Sequence, residues 1–148
     1  MHFSSSILLG LGLVASSLAH PLEDRDVQTA HLVFHGGPAS YSLSVPADGT
    51  VVPTNNDISV SIIDDNDYNA FAQCTFTTAD EKTLVSSINT DDGSQHIMVG
   101  PPQPIISVSC QGMCVPSYSN CYGTDGQFVG PCCNGFCAAD KCRPWNGV

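Results

Sequence analysis

The stretch Ala30-His-Leu-Val-Phe-His-Gly-Gly-Pro-Ala-Ser-Tyr-Ser-Leu-Ser-Val45 decides the fold class. Its first six residues mix β-branched, aromatic and apolar side chains and stop at Gly36-Gly37-Pro38. Its last seven alternate large apolar with small polar residues until Pro46-Ala-Asp-Gly49, the period of a strand with one buried face. Ile58-Ser-Val-Ser-Ile-Ile63 repeats the alternation and ends in an acidic turn, Asp64-Asp-Asn-Asp67. Phe71-Ala-Gln-Cys-Thr-Phe-Thr77 is a looser case with Cys74 in its middle; Thr83 to Ile88, Gln95 to Val99 and Ile105 to Cys110 complete the set. Gly100-Pro-Pro-Gln-Pro104 lacks the N–H donors a central strand needs, so it reads as an extended edge or a bend. No window has a period of 3.6. About seven short strands separated by turn residues predict an all-β, small antiparallel β-sandwich or barrel over residues 28–110.

Outward from that domain, the N-terminus has the layout of a signal peptide. A short polar start precedes the apolar run Ile7 to Val14, and Ser17 and Ala19 occupy the −3 and −1 positions for a cut before His20. Residues 1–19 are therefore read as a secretion signal and 20–27 as a flexible lead-in. All fourteen acidic and all four basic residues lie beyond that cut, so a secreted chain keeps the net charge of −10. Such a charge repels nucleic acid and anionic lipid surfaces, and neither is expected as a partner. The charge is unevenly placed: in residues 111–148, Asp125 and Asp140 balance Lys141 and Arg143.

After Cys110 the composition turns rich in Cys, Gly and Asn and poor in aliphatics, which sets a boundary near residue 111. Cys114, Cys121, Cys132, Cys133, Cys137 and Cys142 follow with intervals of six, ten, zero, three and four residues. Eight cysteines behind a signal peptide read as four disulfides. The pairs Cys110-x3-Cys114 and Cys133-x3-Cys137 superficially suggest a zinc ribbon, but sites with so many thiolates belong mostly to reducing compartments. A segment of about 35 residues cannot bury enough apolar surface to fold unaided, and cross-links normally supply the difference.

The spacing, with Gly130-Pro-Cys-Cys-Asn-Gly-Phe-Cys137 at its doublet, resembles the inhibitor cystine knot family, the knottins of plants and arthropods. The resemblance implies a first-to-fourth, second-to-fifth, third-to-sixth pairing: Cys114–Cys133, Cys121–Cys137 and Cys132–Cys142. The ten-residue second loop is longer than in most knottins. Taking the six as a unit leaves Cys74 with Cys110, both at predicted strands. The rival arrangement puts Cys110 in the tail in place of Cys114; the continuous strand pattern ending at Cys110 favours the first.

Catalytic constellations are not evident, and the chain reads as a non-enzyme without cofactor. His31 and His35 share a strand face and, with His96, could bind a metal, but histidines on half-buried strands read more simply as surface residues, so no metal is expected. Read as a calcium loop from Asp65, the acidic turn fails: Ala70 stands where glycine is needed and Phe76 where glutamate is. It reads instead as a solvated turn. Functional weight falls on aromatic side chains held on cross-linked loops, where binding costs little entropy. Tyr118, Tyr122, Phe128 and Trp145 are the candidates, whereas Phe136 reads as cover for the tail's small core.

Signal peptide, acidic β-domain and cysteine-rich tail together are similar to the small secreted cysteine-rich proteins of filamentous fungi. The runs His31 to Pro46 and Val99 to Cys110 look similar to members of the effector or hypersensitive-response-inducing elicitor type. That resemblance implies a secreted monomer acting on an extracellular host or competitor protein. Inhibition of a secreted hydrolase through the long second loop is the alternative. An antimicrobial role fits worst, because the tail carries no net positive charge.

Overall fold

A computed structural model describes residues 26–145. The segment assigned to a signal peptide, and residues 20–25 of the lead-in, lie outside them. The fold is nearly all β, and every paired strand in its sheets is antiparallel. Strands β1 (Thr29–Gly36) and β2 (Ala39–Pro46) form a hairpin turning at Gly37 and Pro38, in register from Thr29↔Pro46 to Gly36↔Ala39. Gly37 has φ of 63°, the left-handed conformation that such tight turns demand and glycine adopts without cost. With β4 (Val60–Asp65), β6 (Thr83–Ile88) and β7 (Gln95–Gln103), the hairpin builds a five-stranded sheet of order β2-β1-β4-β7-β6. A second sheet of order β3-β8-β5 contains β3 (Asp48–Pro53), β5 (Cys74–Thr77) and β8 (Ser107–Gln111).

One core closes between the two sheets. Leu32 and Phe34 of β1, Val45 of β2, Ile63 of β4, Ile97 of β7, Phe76 of β5 and Val108 of β8 are all buried in it. Phe34 is its pivot: the ring stacks on Tyr41 at 4.7 Å and meets Phe76 edge-on at 6.4 Å. Both geometries suit the aromatic quadrupole. The opposite face of β1 presents His31, Val33 and His35 outward, as a strand period of two requires.

Three details differ from the sequence expectations, and a fourth, the proline stretch after Gly100, settles on the extended edge rather than the bend. Strand β3 was not anticipated, because prolines and glycine bracket Thr50-Val-Val52 so closely that the segment resembles a loop. Residues expected to open the fourth strand instead form a single helical turn, α1 (Ala70–Gln73). There the Asn69 carboxamide oxygen accepts from Ala72 N and the Asn69 carbonyl from Gln73 N, the arrangement of a helix cap. Strand β7 continues through Pro101 and Pro102 to Gln103, in the stretch beyond its last pairing with β6 at Gly100, where the ladder bonds only to β4. The acidic segment is not simply a solvated turn: β4 runs through Asp64 to Asp65, and Asp65 is 1% exposed.

The tail carries a two-stranded sheet, β9 (Phe136–Ala138) and β10 (Lys141–Arg143), and its own small cluster of Val115, Cys121, Cys132 and Cys142. Asp65 organises the segment that meets it. One carboxylate oxygen accepts from Tyr68 N at 3.2 Å and the other from Ala70 N at 2.5 Å. The turn so formed aims the Tyr68 hydroxyl at Gly112 O (2.8 Å) and the Asn69 amide at Cys132 O (3.0 Å).

Truncating Phe34 to alanine leaves a cavity where three rings meet, and is expected to cost about 3–5 kcal/mol in equilibrium denaturation. Burial pushes the Asp65 carboxyl up to about 7, against the pull of its two backbone N–H groups, with Asp67 adding a smaller upward push. An unfolded chain loses that proton near pH 4. Asp65 therefore contributes its full stability below about pH 4, and the contribution is lost as pH rises toward about 7. The urea midpoint, measured with EDTA present, should show this fall as a difference between the parent and Asp65→Asn. Parallel pH profiles for the two proteins would refute the assignment.

Candidate functional site

All eight cysteines are paired: Cys74 with Cys110, Cys114 with Cys133, Cys121 with Cys137, and Cys132 with Cys142. Cys74 and Cys110 stand directly opposite each other on β5 and β8. Cys110 thus belongs to the sandwich, and Cys114 rather than Cys110 enters the tail's network. The three tail links close loops of 10 to 19 residues, each worth on the order of 3 kcal/mol if cross-linking acts by restricting the unfolded chain. The disulfides fit an oxidising, extracellular-type environment. Among the described residues, no helix is long and apolar enough to cross a membrane.

The tail is fastened to the sandwich along one seam. Cys114 and Cys133 lie in the sandwich core cluster, so their disulfide is shared by both parts. The Gln28 carboxamide bonds Cys114 twice, donating to its carbonyl at 2.9 Å and accepting from its N–H at 2.8 Å. Gln73 Nε2 donates to Met113 O at 2.9 Å. With Tyr68 and Asn69 reaching Gly112 and Cys132, the seam fixes which side of the tail faces away.

On the tail, the aromatic candidates fall into two pairs and one separate residue. Tyr122 and Phe128 face each other edge-on at 5.4 Å, and Phe128 is 57% exposed. They flank a tight hairpin: Val129 N donates to Cys121 O, Gly123 N to Gln127 O and Gly126 N to Gly123 O. Asp125 Oδ1 accepts from Gln127 N and pins the tip. Trp145 packs on Phe136 at 5.3 Å, and both rings remain exposed; Phe136 is therefore a surface residue and not the core cover expected from sequence. Tyr118 is exposed with φ of 68°, its N–H bonded to Cys142 O.

A second constellation lies on the outer face of the five-stranded sheet. Asp64 accepts from His35 Nε2 at 2.7 Å on one oxygen and from His96 Nδ1 at 2.5 Å on the other. The register makes this possible: Asp64 sits opposite both His96 on β7 and Val33 on β1, two residues from His35. His31 instead pairs with Asp67. The histidine row was legible from sequence, but the carboxylate joining two of its members was not, because nothing local tells which strands become neighbours.

Ser94 Oγ lies 3.2 Å from His96 Nε2, so Ser94, His96 and Asp64 stand in the order of a nucleophile, base and orienting acid. The environment does not match that chemistry. The serine hydroxyl has a nearer acceptor in Asp92 Oδ1 at 2.6 Å. The N–H groups of Gly93 and Ser94 donate to Asn89 O and Asp92 Oδ1, so neither can line an oxyanion hole. The arrangement orients His96. Among the described residues, the group of potential ligand atoms close enough to share an ion is Cys121, Cys132 and Cys142, but all three sulfurs are in disulfides and offer no thiolate.

Comparison with protein-family models, with curated proteins and with solved structures finds no match to this chain.

Proposed function

We propose that the protein is a secreted, non-catalytic binding protein of the effector or elicitor type, which engages an extracellular host or competitor protein through its knottin-like tail. The observation that carries this reading is the exposure of Tyr118, Tyr122, Phe128 and Phe136 within the stretch crossed by three disulfides, with exposed Trp145 packed on Phe136 just beyond the last cysteine. Large aromatic side chains on rigid loops contribute apolar contact area without the entropy loss that mobile loops suffer on binding. The resemblance to fungal small secreted proteins agrees in compartment and cysteine pattern. The net charge of −10 argues against nucleic acid and anionic membranes as targets.

A second reading rests on the hairpin from Cys121 to Val129, whose stem is closed by backbone bonds and whose tip is pinned by Asp125. A loop held in one shape from a disulfide base suits insertion into the active site of a secreted hydrolase. The two readings share a surface and differ in partner.

The double variant Tyr122→Ala/Phe128→Ala leaves every disulfide in place and tests both. If the hairpin is the contact surface, the variant should lose about 30-fold or more in affinity for a partner captured from host extracellular fluid, the loss expected at an interface hot spot. It should also lose the tissue response produced by infiltrating the parent protein. Unchanged capture and response would sink the assignment of the hairpin. A panel of secreted proteases, amylases and glucanases separates the readings: inhibition at micromolar protein identifies an inhibitor, and none leaves the effector reading.

A further inference from the structure

We propose that the outer face of the β9–β10 hairpin docks an extended, acidic segment of the partner protein, with carboxylates on Lys141 and Arg143 and an apolar side chain on Phe136 and Trp145. The inference rests on the tail being the contact surface and names the chemistry of what it contacts. The strand register puts these side chains on one side. Phe136 stands opposite Arg143, Cys137 opposite Cys142 and Ala138 opposite Lys141. Cys142 is fully buried and Cys137 packs against the tail's small cluster, so this middle pair points inward. Successive residues of a strand face opposite ways, and the flanking pairs therefore point to solvent. Phe136, Lys141 and Arg143 are all exposed. Trp145, two residues beyond Arg143, stays on that side and packs on Phe136 at 5.3 Å. The platform is held in shape before any partner arrives. Ala139 and Asp140 have φ of 50° and 61°, as a two-residue hairpin turn of the I′ type requires. A Cβ on Gly135 would come within 1.8 Å of Arg143 O, so the chain entering β9 lies directly against β10. The disulfides Cys121–Cys137 and Cys132–Cys142 tie each strand to the rest of the tail.

Charge decides the occupant. Of the three lysines and arginines among the described residues, two lie on this one short strand, in a protein of net charge −10. The ion pairs among the described residues all join histidine to aspartate, and none uses Lys141 or Arg143. Two cations two residues apart on a strand stand about 7 Å from each other, the spacing of alternate side chains in an extended partner. Arginine and tryptophan are also among the residues on which interface energy concentrates. A flat polyanion fits this face less well. Membrane recognition takes clusters of about four to eight basic residues, and a charged plane repels the acidic body. A protein segment brings its carboxylates to the tail alone.

Trp145 is the single tryptophan of the chain, so its emission reports occupancy of this face directly. The probe is a synthetic hexapeptide that alternates threonine with glutamate and ends in leucine, which puts both carboxylates and the leucine on one side when extended. The same peptide with lysine for glutamate is the control. The glutamate peptide should shift the emission of the parent saturably, and raising salt from about 0.05 to 0.5 M should weaken its binding. Lys141→Glu/Arg143→Glu should weaken that binding by about 10-fold or more and strengthen binding of the lysine peptide. The milder Lys141→Gln/Arg143→Gln should give an intermediate loss. Circular dichroism and mapping of the four disulfides check that each variant is folded. Emission unmoved by the glutamate peptide, or moved equally in the parent and the folded charge-reversed variant, would overturn the proposal. A shift produced by phosphatidylserine vesicles and not by the peptide would overturn it too, and assign the face to a lipid surface. The result is separable from the binding function itself. If Tyr122→Ala/Phe128→Ala still loses the captured partner while the emission stays unmoved, the tail remains the contact surface and only the acidic docking falls.

Discussion

The arrangement of both candidate surfaces depends on one buried carboxylate. Asp65 closes β4 inside the protein, and its two oxygens hold the backbone of Tyr68 and Ala70. The turn it closes sets the start of α1 and the reach toward the tail. Asp64, on the opposite face of the strand, is turned outward to His35 and His96; Asp67 reaches His31; Tyr68 and Asn69 reach the tail. A short acidic segment thus anchors the histidine face and the seam together. Burying a carboxyl is costly unless it is neutral or well bonded, and Asp65 is bonded on both oxygens while burial favours its neutral form.

The two parts of the molecule solve the problem of stability differently. The sandwich has a continuous apolar core with three aromatic rings in contact, and one disulfide between its own strands. The tail has four residues in its buried cluster, three of them half-cystines. Cys114–Cys133 belongs to the first part by burial and to the second by sequence. The tail is consequently held rigidly to the body and not tethered to it by a linker, and any partner of the aromatic loops meets both parts at a fixed angle.

Much of this was legible from the sequence where a local rule decides the outcome. The alternation from Ala39 to Val45 gives β2 its buried Val45 and exposed serines, and Gly37 lies at the turn of the first hairpin. Where two local rules compete, tertiary context decides. Thr50-Val-Val52 has strand composition but sits among turn residues, and pairing with β8 makes it a strand. Phe71-Ala-Gln73 also has strand composition, yet Asn69 and the bonded Asp65 turn coil it into α1. The histidine cluster lies beyond local reading altogether. Asp64 and His96 are 32 residues apart, and only the sheet order β1-β4-β7 brings His35, Asp64 and His96 to one place. For the tail, the aromatic residues could be named in advance, but the pairing of Phe136 with Trp145 requires the β9–β10 hairpin.

The uneven charge has a consequence for how the molecule travels. Its tail carries no net charge, while the described body, residues 26–110, bears nearly all of the acidic excess. The protein is therefore an electric dipole with its neutral end at the cross-linked loops. Drifting toward any polyanionic surface, it experiences a torque that turns the body away, and it arrives with the tail leading. Rigid attachment at the seam makes that orientation a property of the entire particle, so the same field that slows the approach also selects the face that makes contact.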